Sequence, residues 1–190
     1  RRWLDALAGT RVELLDTRKT TPGWRLLEKY AVRTGGGTNH RESLSDAILV
    51  KDNHVEALRA LGDERLEEWV DRLRRRSPGV FLQVEVGSRK ELLAALGAGV
   101  DGILLDNFTP EDLRWAAEMR DRECSSGPGR RPSLEASGGL QLATAREVAE
   151  TGVDRISVGS LTHSARALDL GLDLAAVRLE ATSPGGAAPG

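Results

Sequence analysis

Short apolar runs alternate with helix-like patterns along almost the whole chain. The runs are Val12–Leu15, Ala47–Val50, Val80–Val86, Gly102–Leu105, Ser133–Ala136 and Arg155–Val158, each of strand length and most bounded by polar or glycine-rich turns. The stretch Ala31–Arg33 is a candidate seventh strand. Between these runs, Leu66, Trp69, Val70 and Leu73 repeat at helical spacing and form one apolar stripe. Ser88 followed by Glu91 predicts a capping box, and Thr109 before Pro110 predicts a helix start with Asp112 near its positive end. Gly97 and Gly152 stand where helices should stop.

Two segments echo each other. Gly99-Val100-Asp101-Gly102-Ile103 and Gly152-Val153-Asp154-Arg155-Ile156 both end a helix and open a strand. Repeated strand–helix–strand units predict right-handed crossovers and a parallel sheet. An open doubly wound sheet satisfies the same pattern. A barrel is preferred because polar residues follow nearly every strand instead of gathering at one switch point. A full barrel of this kind has eight strands in about 250 residues. The expectation is therefore an α/β fold, an incomplete or reduced TIM-like barrel of about six to seven parallel strands spanning residues 1–174. Glu123–Pro132 reads as a surface loop. Residues 175–190 read as the end of a last helix and a disordered tail.

At 190 residues and 39% hydrophobic composition the chain can bury one good core. Lysine plus arginine number 27 against 29 acidic residues, a net charge of -2, which argues against a nucleic-acid binder. No stretch is long and apolar enough to span a bilayer, and no signal-peptide pattern opens the chain, so a cytoplasmic protein is expected. The single Cys124 can form neither an internal disulfide nor a thiolate cage. Any cationic site must be local. Lysine is scarce (Lys19, Lys29, Lys51, Lys90), as is histidine (His40, His54, His163), so their placement carries information.

In parallel barrels the loops after the strands build the active site. Those loops read Thr17-Arg18-Lys19-Thr20-Thr21-Pro22-Gly23, Gly35-Gly36-Gly37-Thr38-Asn39-His40-Arg41 and Lys51-Asp52-Asn53-His54. Glu85 and Asp106-Asn107 end the next two strands, and Ser137-Gly138-Gly139 and Gly159-Ser160-Leu161-Thr162-His163 follow the last two. Taken alone, Arg18-Lys19 is also what a solvated turn contains, and glycine turns are common. Together they suit anions: Arg41 offers a planar fork to a carboxylate, and glycine N–H groups on the last strands match a recurrent phosphate site. Glu85 and Asp106 could hold Mg²⁺ or sugar hydroxyls, or merely cap helices. His54 reads as a structural histidine that places Lys51.

These motifs, with Glu28-Lys29-Tyr30, Glu135-Ala136-Ser137-Gly138-Gly139 and Ile156 to Ser164, resemble quinolinate phosphoribosyltransferase in order and across most of the chain from Trp3 to Leu174. The resemblance implies attack of quinolinate on phosphoribosyl pyrophosphate, then loss of carbon dioxide to give nicotinate mononucleotide for NAD biosynthesis. It implies that Arg18, His40, Arg41 and Lys51 hold quinolinate, and that Lys19 and Lys51 neutralise pyrophosphate. By the same resemblance Glu85 and Asp106 meet ribose hydroxyls and Mg²⁺, with Thr17 nearby. Ser137, Gly138, Gly139, Val158, Gly159, Ser160 and His163 would take the 5′-phosphate. Gln83 and Gly87 depart from the family, which often has acidic residues there. The family also implies an N-terminal α/β sandwich domain that lends an arginine to a partner's site. This chain is thus expected to be a barrel domain acting in a homodimer or higher oligomer. The alternatives are a related pyrophosphorylase for another acidic heteroaromatic base, a catalytically silent barrel partner, and a generic sugar-phosphate barrel enzyme.

Overall fold

The computed structural model describes residues 1–60, 65–125 and 131–175. Six parallel strands form one sheet: β1 (Glu13–Leu15), β2 (Ala47–Val50), β3 (Phe81–Val86), β4 (Gly102–Asp106), β5 (Ser133–Ser137) and β6 (Arg155–Ser157), in the order β1-β6-β5-β4-β3-β2. From β2 to β6 each strand lies beside its predecessor, and β1 then follows β6. That is the winding of a barrel opened at one seam, not of a doubly wound sheet with a switch point. The seam lies between β1 and β2, which makes the fold a reduced TIM-like barrel.

The expected seventh strand is a correction. Ala31–Arg33 lie inside helix α2 (Arg25–Thr34). The free edge of β1 is met instead by Thr38, through a single parallel bridge to Leu15. Thr38 donates its N–H to Leu14 O at 2.8 Å and accepts from Asp16 N at 3.2 Å.

Strand residues alternate between two unlike faces. Leu82, Val84, Val86, Ile103, Leu105, Leu134, Ala136, Ile156 and Val158 face outward and form the core with the helices. Those helices are α4 (Leu66–Arg76), α5 (Arg89–Gly97), α6 (Pro110–Ser125) and the short α7 (Ala145–Ala149). The other face carries Phe81, Gln83 and Glu85 of β3, Leu104 and Asp106 of β4, Glu135 and Ser137 of β5, and Arg155 and Ser157 of β6. Its lower end is closed by Arg155, which pairs with Glu13 at 3.1 Å and lies 5.5 Å from the centre of the Phe81 ring. Gly102 leaves room for that ring, since a Cβ there would meet Phe81 at 2.9 Å.

The helix signals correspond to contacts. Ser88 Oγ accepts from Glu91 N, while the Glu91 carboxylate reaches back to Gly87 N rather than to Ser88 N. Thr109 Oγ1 accepts from Asp112 N. The remaining helices are α1 (Arg2–Ala6), α3 (Asp52–Ala60) and α8 (Ser160–His163). One further expectation needs correction. Helix α6 continues to Ser125, through the start of the segment read as a loop. No helix follows His163 among the described residues: Leu168, Leu170, Leu172 and Leu174 are exposed, and their spacing of two does not make a helical stripe. Residues 176–190, which include the expected tail, lie outside the described residues.

The two echoed segments share one device. Asp101 donates its N–H to Leu82 O and accepts Leu82 N–H on its carboxylate at 2.9 Å, with Arg74 at 3.2 Å. Asp154 does the same to Leu134, accepting its N–H at 2.8 Å, and is held by the buried Arg120 and by Arg131. Each aspartate thus clamps the neighbouring strand at its start and ties it to a helix or loop. Asp154→Ala is expected to lower the unfolding free energy by about 3 kcal/mol, because Leu134 N–H loses its side-chain acceptor and the buried Arg120 keeps only Asp121 and Gly152 O. Urea unfolding checks this, with the exposed Asp71→Ala changing stability by less than about 0.5 kcal/mol.

Candidate functional site

A cavity of about 350 Å³ opens at the carboxyl ends of the strands, lined by Thr17, Arg18, Lys19, His40, Arg41, Leu49, Lys51, Glu85, Leu104, Asp106, Glu135, Ser137 and Ser157. The fold brings these together because the inward parity of each strand carries a polar residue to the same end. Nine of the residues expected from the loops line it. Gly138, Gly139, Gly159, Ser160 and His163 are not among the lining residues. The Val158 side chain is buried in the outward core, and its N–H donates to Leu15 O at 2.9 Å.

The basic turn after β1 is held from two sides. Thr17 Oγ1 accepts Lys19 N–H at 3.1 Å. Arg25 on α2 donates to Thr20 Oγ1 at 3.2 Å and to Arg18 O at 3.4 Å, and Thr162 on α8 donates to Lys19 O at 2.6 Å. Behind the turn sits the fully buried Asp16. One of its oxygens accepts from Lys29 Nζ at 2.7 Å and from His40 N at 2.8 Å, and the other from Asn39 Nδ2 at 2.6 Å. Lys29 also donates to His40 O at 2.9 Å. The buried pair thereby fixes the His40 backbone at both its N–H and its carbonyl.

Arg41 Nη1 donates to Ala47 O at 2.9 Å, joining the segment beside β1 to the start of β2. Its guanidinium is held below the ordinary value, first by burial and then by the positive charge of Arg18, with Asp46 opposing. The Arg18 Nε is itself buried without a partner. Lys51 pairs with Glu85 at 2.9 Å, and His54 Nδ1 accepts Lys51 N–H at 3.0 Å, the placing role expected of it.

The floor holds a group that the pattern of loops did not reveal. Glu135 is fully buried. One carboxylate oxygen accepts from Gln83 Nε2 at 2.9 Å, and the other lies 3.4 Å from His40 Nε2. Burial pushes the Glu135 carboxyl up, but contacts with His40, Gln83 and Ser157 outweigh it and hold the group below its ordinary value. The His40 and Ser157 contacts are electrostatic approaches rather than directed hydrogen bonds, because Glu135 Oε1 and Ser157 Oγ both lack a hydrogen-bond partner. Asp16, Lys29, Gln83, Glu135 and Ser157 were given no role from sequence. The available signal was alternation: Gln83 and Glu85 in Phe81-Leu82-Gln83-Val84-Glu85, and Ser133, Glu135 and Ser137 in the later strand, are polar residues at every second position, the inward face.

The glycine loops adjoin the cavity. Gly138 has φ +87° and lies so close to Asn107 that a Cβ would meet its side chain at 2.3 Å; Asn107 itself has φ +56° and donates its N–H to Ser137 O at 2.9 Å. A Cβ on Gly159 would meet His163 Nε2 at 2.8 Å. The N–H groups of Gly138, Gly139 and Gly159 have no acceptor among the described residues, so these loops offer donors beside the cations.

A larger cavity of about 900 Å³ lies between α3, α4 and α5 and shares Glu85 and Asp106. Asp52, Glu56, Glu67 and Glu91 also line it, with Arg65 as its one cation among the lining residues. Its charge does not suit an anion, so the smaller cavity is the candidate site. Among the described residues no three His, Cys, Asp or Glu side chains come together to hold a metal ion. Glu85 is already paired with Lys51, and Asp106 accepts from Asn107 Nδ2 at 2.9 Å. Two carboxylates fit a Mg²⁺ only where phosphate oxygens supply most of its ligands.

A family model described as the quinolinate phosphoribosyl transferase C-terminal domain matches residues 1–173. A carboxylating nicotinate-nucleotide pyrophosphorylase of Mycobacterium leprae is 47% identical over 172 residues, covering 90% of this chain and 57% of that protein. A probable enzyme of the same name from Bacillus subtilis is 40% identical, covering 86% and 52%. The structure of NadC from Streptococcus pyogenes superposes with a TM-score of 0.75 at 40% identity, covering 88% of this chain and 55% of that one. The nicotinate-nucleotide pyrophosphorylase of Francisella tularensis gives 0.74 at 37%, covering 85% and 53%. The chain spans about half the length of the curated relatives it matches. No helix among the described residues is long and apolar enough to cross a membrane.

The lowered Glu135 carboxyl fixes a sign. The folded state binds this proton less readily than the unfolded chain, so the stabilisation is complete above the ordinary glutamate value of 4.5 and is lost as pH falls through the lowered folded value. Glu135→Gln removes that dependence. In acid titrations followed by circular dichroism, the parent is expected to lose stability more steeply than the variant below about pH 4.5.

Proposed function

The chain belongs to the quinolinate phosphoribosyl transferase C-terminal-domain family, and from that premise we propose that its strand-end cavity binds quinolinate beside phosphoribosyl pyrophosphate. The observation that carries the reading is the convergence of Arg18 and Arg41. Two guanidiniums face one small cavity, and after burial the charge of Arg18 is the next cause that holds Arg41 below its ordinary value. Such repulsion is relieved by a ligand with two carboxylates, each able to take a planar fork. Nicotinate, with a single carboxylate, relieves less of it.

The reaction requires little covalent participation by the protein. The ring nitrogen forms a bond to C1 of the ribose as the C1–oxygen bond to pyrophosphate breaks, and the leaving group takes the electron pair. Lys19 and Lys51 stabilise that developing charge. For Lys51 this means exchanging Glu85 for a phosphate oxygen, which frees the Glu85 carboxylate for ribose hydroxyls beside Asp106. A Mg²⁺ carried on the pyrophosphate would face the same two carboxylates and add charge neutralisation. The quaternised ring then accepts the electron pair left when the 2-carboxylate departs as carbon dioxide, and a proton from water replaces it. The 5′-phosphate lies at the free N–H groups of Gly138, Gly139 and Gly159, with Ser137, Ser160, His163 and the Val158 backbone around them. Thr17 supports the turn, and His40 contributes to the quinolinate end.

In this reading the longer protein is a transferase of pyridine-nucleotide biosynthesis that works in the cytoplasm, where phosphorylated substrates are retained. The unclosed side of the cavity is completed by an N-terminal domain, supplied by a partner in a homodimer or higher oligomer.

Binding calorimetry with this chain tests the proposal without requiring turnover. Quinolinate is expected to bind more tightly than nicotinate, and Arg18→Ala or Arg41→Ala to weaken it by roughly 30- to 100-fold, about 2–3 kcal/mol each. Unchanged quinolinate affinity in both variants would remove the assignment. Equal affinity for the two acids would favour another heteroaromatic base.

A further inference from the structure

His40 is the one imidazole lining the cavity, with Nδ1 hydrogen-bonded to the protein and Nε2 beside a buried carboxylate. Nδ1 accepts the Arg41 backbone N–H at 2.8 Å, so it carries no proton. The remaining ring proton belongs on Nε2, which lies 3.4 Å from Glu135 Oε1, a charge–dipole approach that closes no hydrogen bond. We propose that Glu135 is a positioning residue: anchored by Gln83, it fixes His40 as the neutral Nε2–H tautomer, and His40 in turn holds the backbone of Arg41. This inference rests on the quinolinate reading only for its consequence in binding; the tautomer itself follows from the contacts.

Three features make the arrangement specific. The Glu135 carboxylate is fully buried, and Gln83 occupies one of its oxygens at 2.9 Å, which leaves Oε1 toward the ring. The His40 backbone is pinned by Asp16 and Lys29, so the ring has a fixed origin. The Arg41 N–H fills Nδ1, so a second ring proton would displace that contact. The charged groups around the ring are Glu135 from β5, Asp16 and Lys29 behind its backbone, and Arg18, Lys19, Arg41 and the Lys51–Glu85 pair in the cavity, with Asp106 on β4. Cationic chemistry at the quinolinate end then belongs to Arg18 and Arg41, and His40 acts as an uncharged, oriented brace. Gln83 gains a role here: an amide can donate to Glu135 where a second carboxylate would repel it.

The test is long-range ¹⁵N–¹H spectroscopy of histidine-labelled chain at neutral pH, with His54→Gln and His163→Gln to assign the remaining ring. The expected spectrum for His40 has an unprotonated Nδ1 and a protonated Nε2. Glu135→Ala is expected to blur it into exchanging tautomers, and Glu135→Gln to retain it, because the Gln83 amide can flip to accept from the new NH2 and leave the amide oxygen toward the ring. A role in packing alone would not separate those two variants. In parallel, Glu135→Ala should weaken quinolinate binding about tenfold and leave inorganic pyrophosphate binding unchanged. A doubly protonated His40 in the parent, or an unaltered spectrum in Glu135→Ala, overturns the proposal. Should Glu135→Ala not fold, the parent spectrum and that of Gln83→Leu, expected to show the same blurring, decide it. Absence of quinolinate binding by the parent would defeat the functional reading while the spectra still judged the tautomer.

Discussion

A parallel strand sends alternate side chains to opposite faces, and in this chain that constraint separates two chemistries. The outward residues of β3 to β6 are Leu, Val, Ile and Ala, and they make the core with the helices. The inward residues are Gln83, Glu85, Asp106, Glu135, Ser137, Arg155 and Ser157. In the general barrel pattern, layers of branched apolar side chains fill the interior. Here only Leu15, Leu49, Leu104 and Phe81 supply apolar bulk on that side, and ion pairs and hydrogen bonds do the rest. The polar interior is the binding site. A register slip of one residue in β3, β4 or β5 would bury a carboxylate in the helix-facing core and leave a leucine in the cavity.

The open seam between β1 and β2 shapes the site as well. A closed barrel would put another strand there. This fold instead brings Thr38 to the edge of β1 and sends Asn39, His40 and Arg41 over the mouth. That irregular segment carries its own anchors: Asp16 and Lys29 behind it, Ala47 beside it and Glu135 beneath it. Burying an aspartate–lysine pair adds little net stability by itself, but removing one partner would leave an unpaired buried charge. The anchors therefore act as a brace. They hold two cationic side chains close together before any ligand arrives, so little reorganisation remains for binding.

Much of this was legible along the chain. The six strands and their order of polar loops followed from apolar runs and turn residues, and the echo around Asp101 and Asp154 proved to be a repeated clamp. What was not legible has physical reasons. Ala31–Arg33 is too short and too apolar to distinguish strand from helix by composition, and the helical stretch around it decided the outcome. The leucines from Leu168 to Leu174 are exposed, and the helix end expected over residues 175–190 lies almost wholly outside the described residues. Glu135 and Asp16 looked like ordinary polar neighbours of glycine and threonine motifs. Their importance comes from contacts that run from 13 positions apart, Asp16 to Lys29, up to 95, His40 to Glu135, which no local window contains. The roles of the loop residues came from family resemblance, whereas the geometry adds which of them share a cavity.

The convergence of Arg18 and Arg41 on a dianion is tested most directly by a crystal structure of this chain with quinolinate. The expected density places the two carboxylates within hydrogen-bond distance of Arg18 and Arg41, with neither carboxylate against Glu135. Density for quinolinate in the acidic cavity beside Trp69, or in the expected cavity with its carboxylates turned away from both arginines, would contradict it.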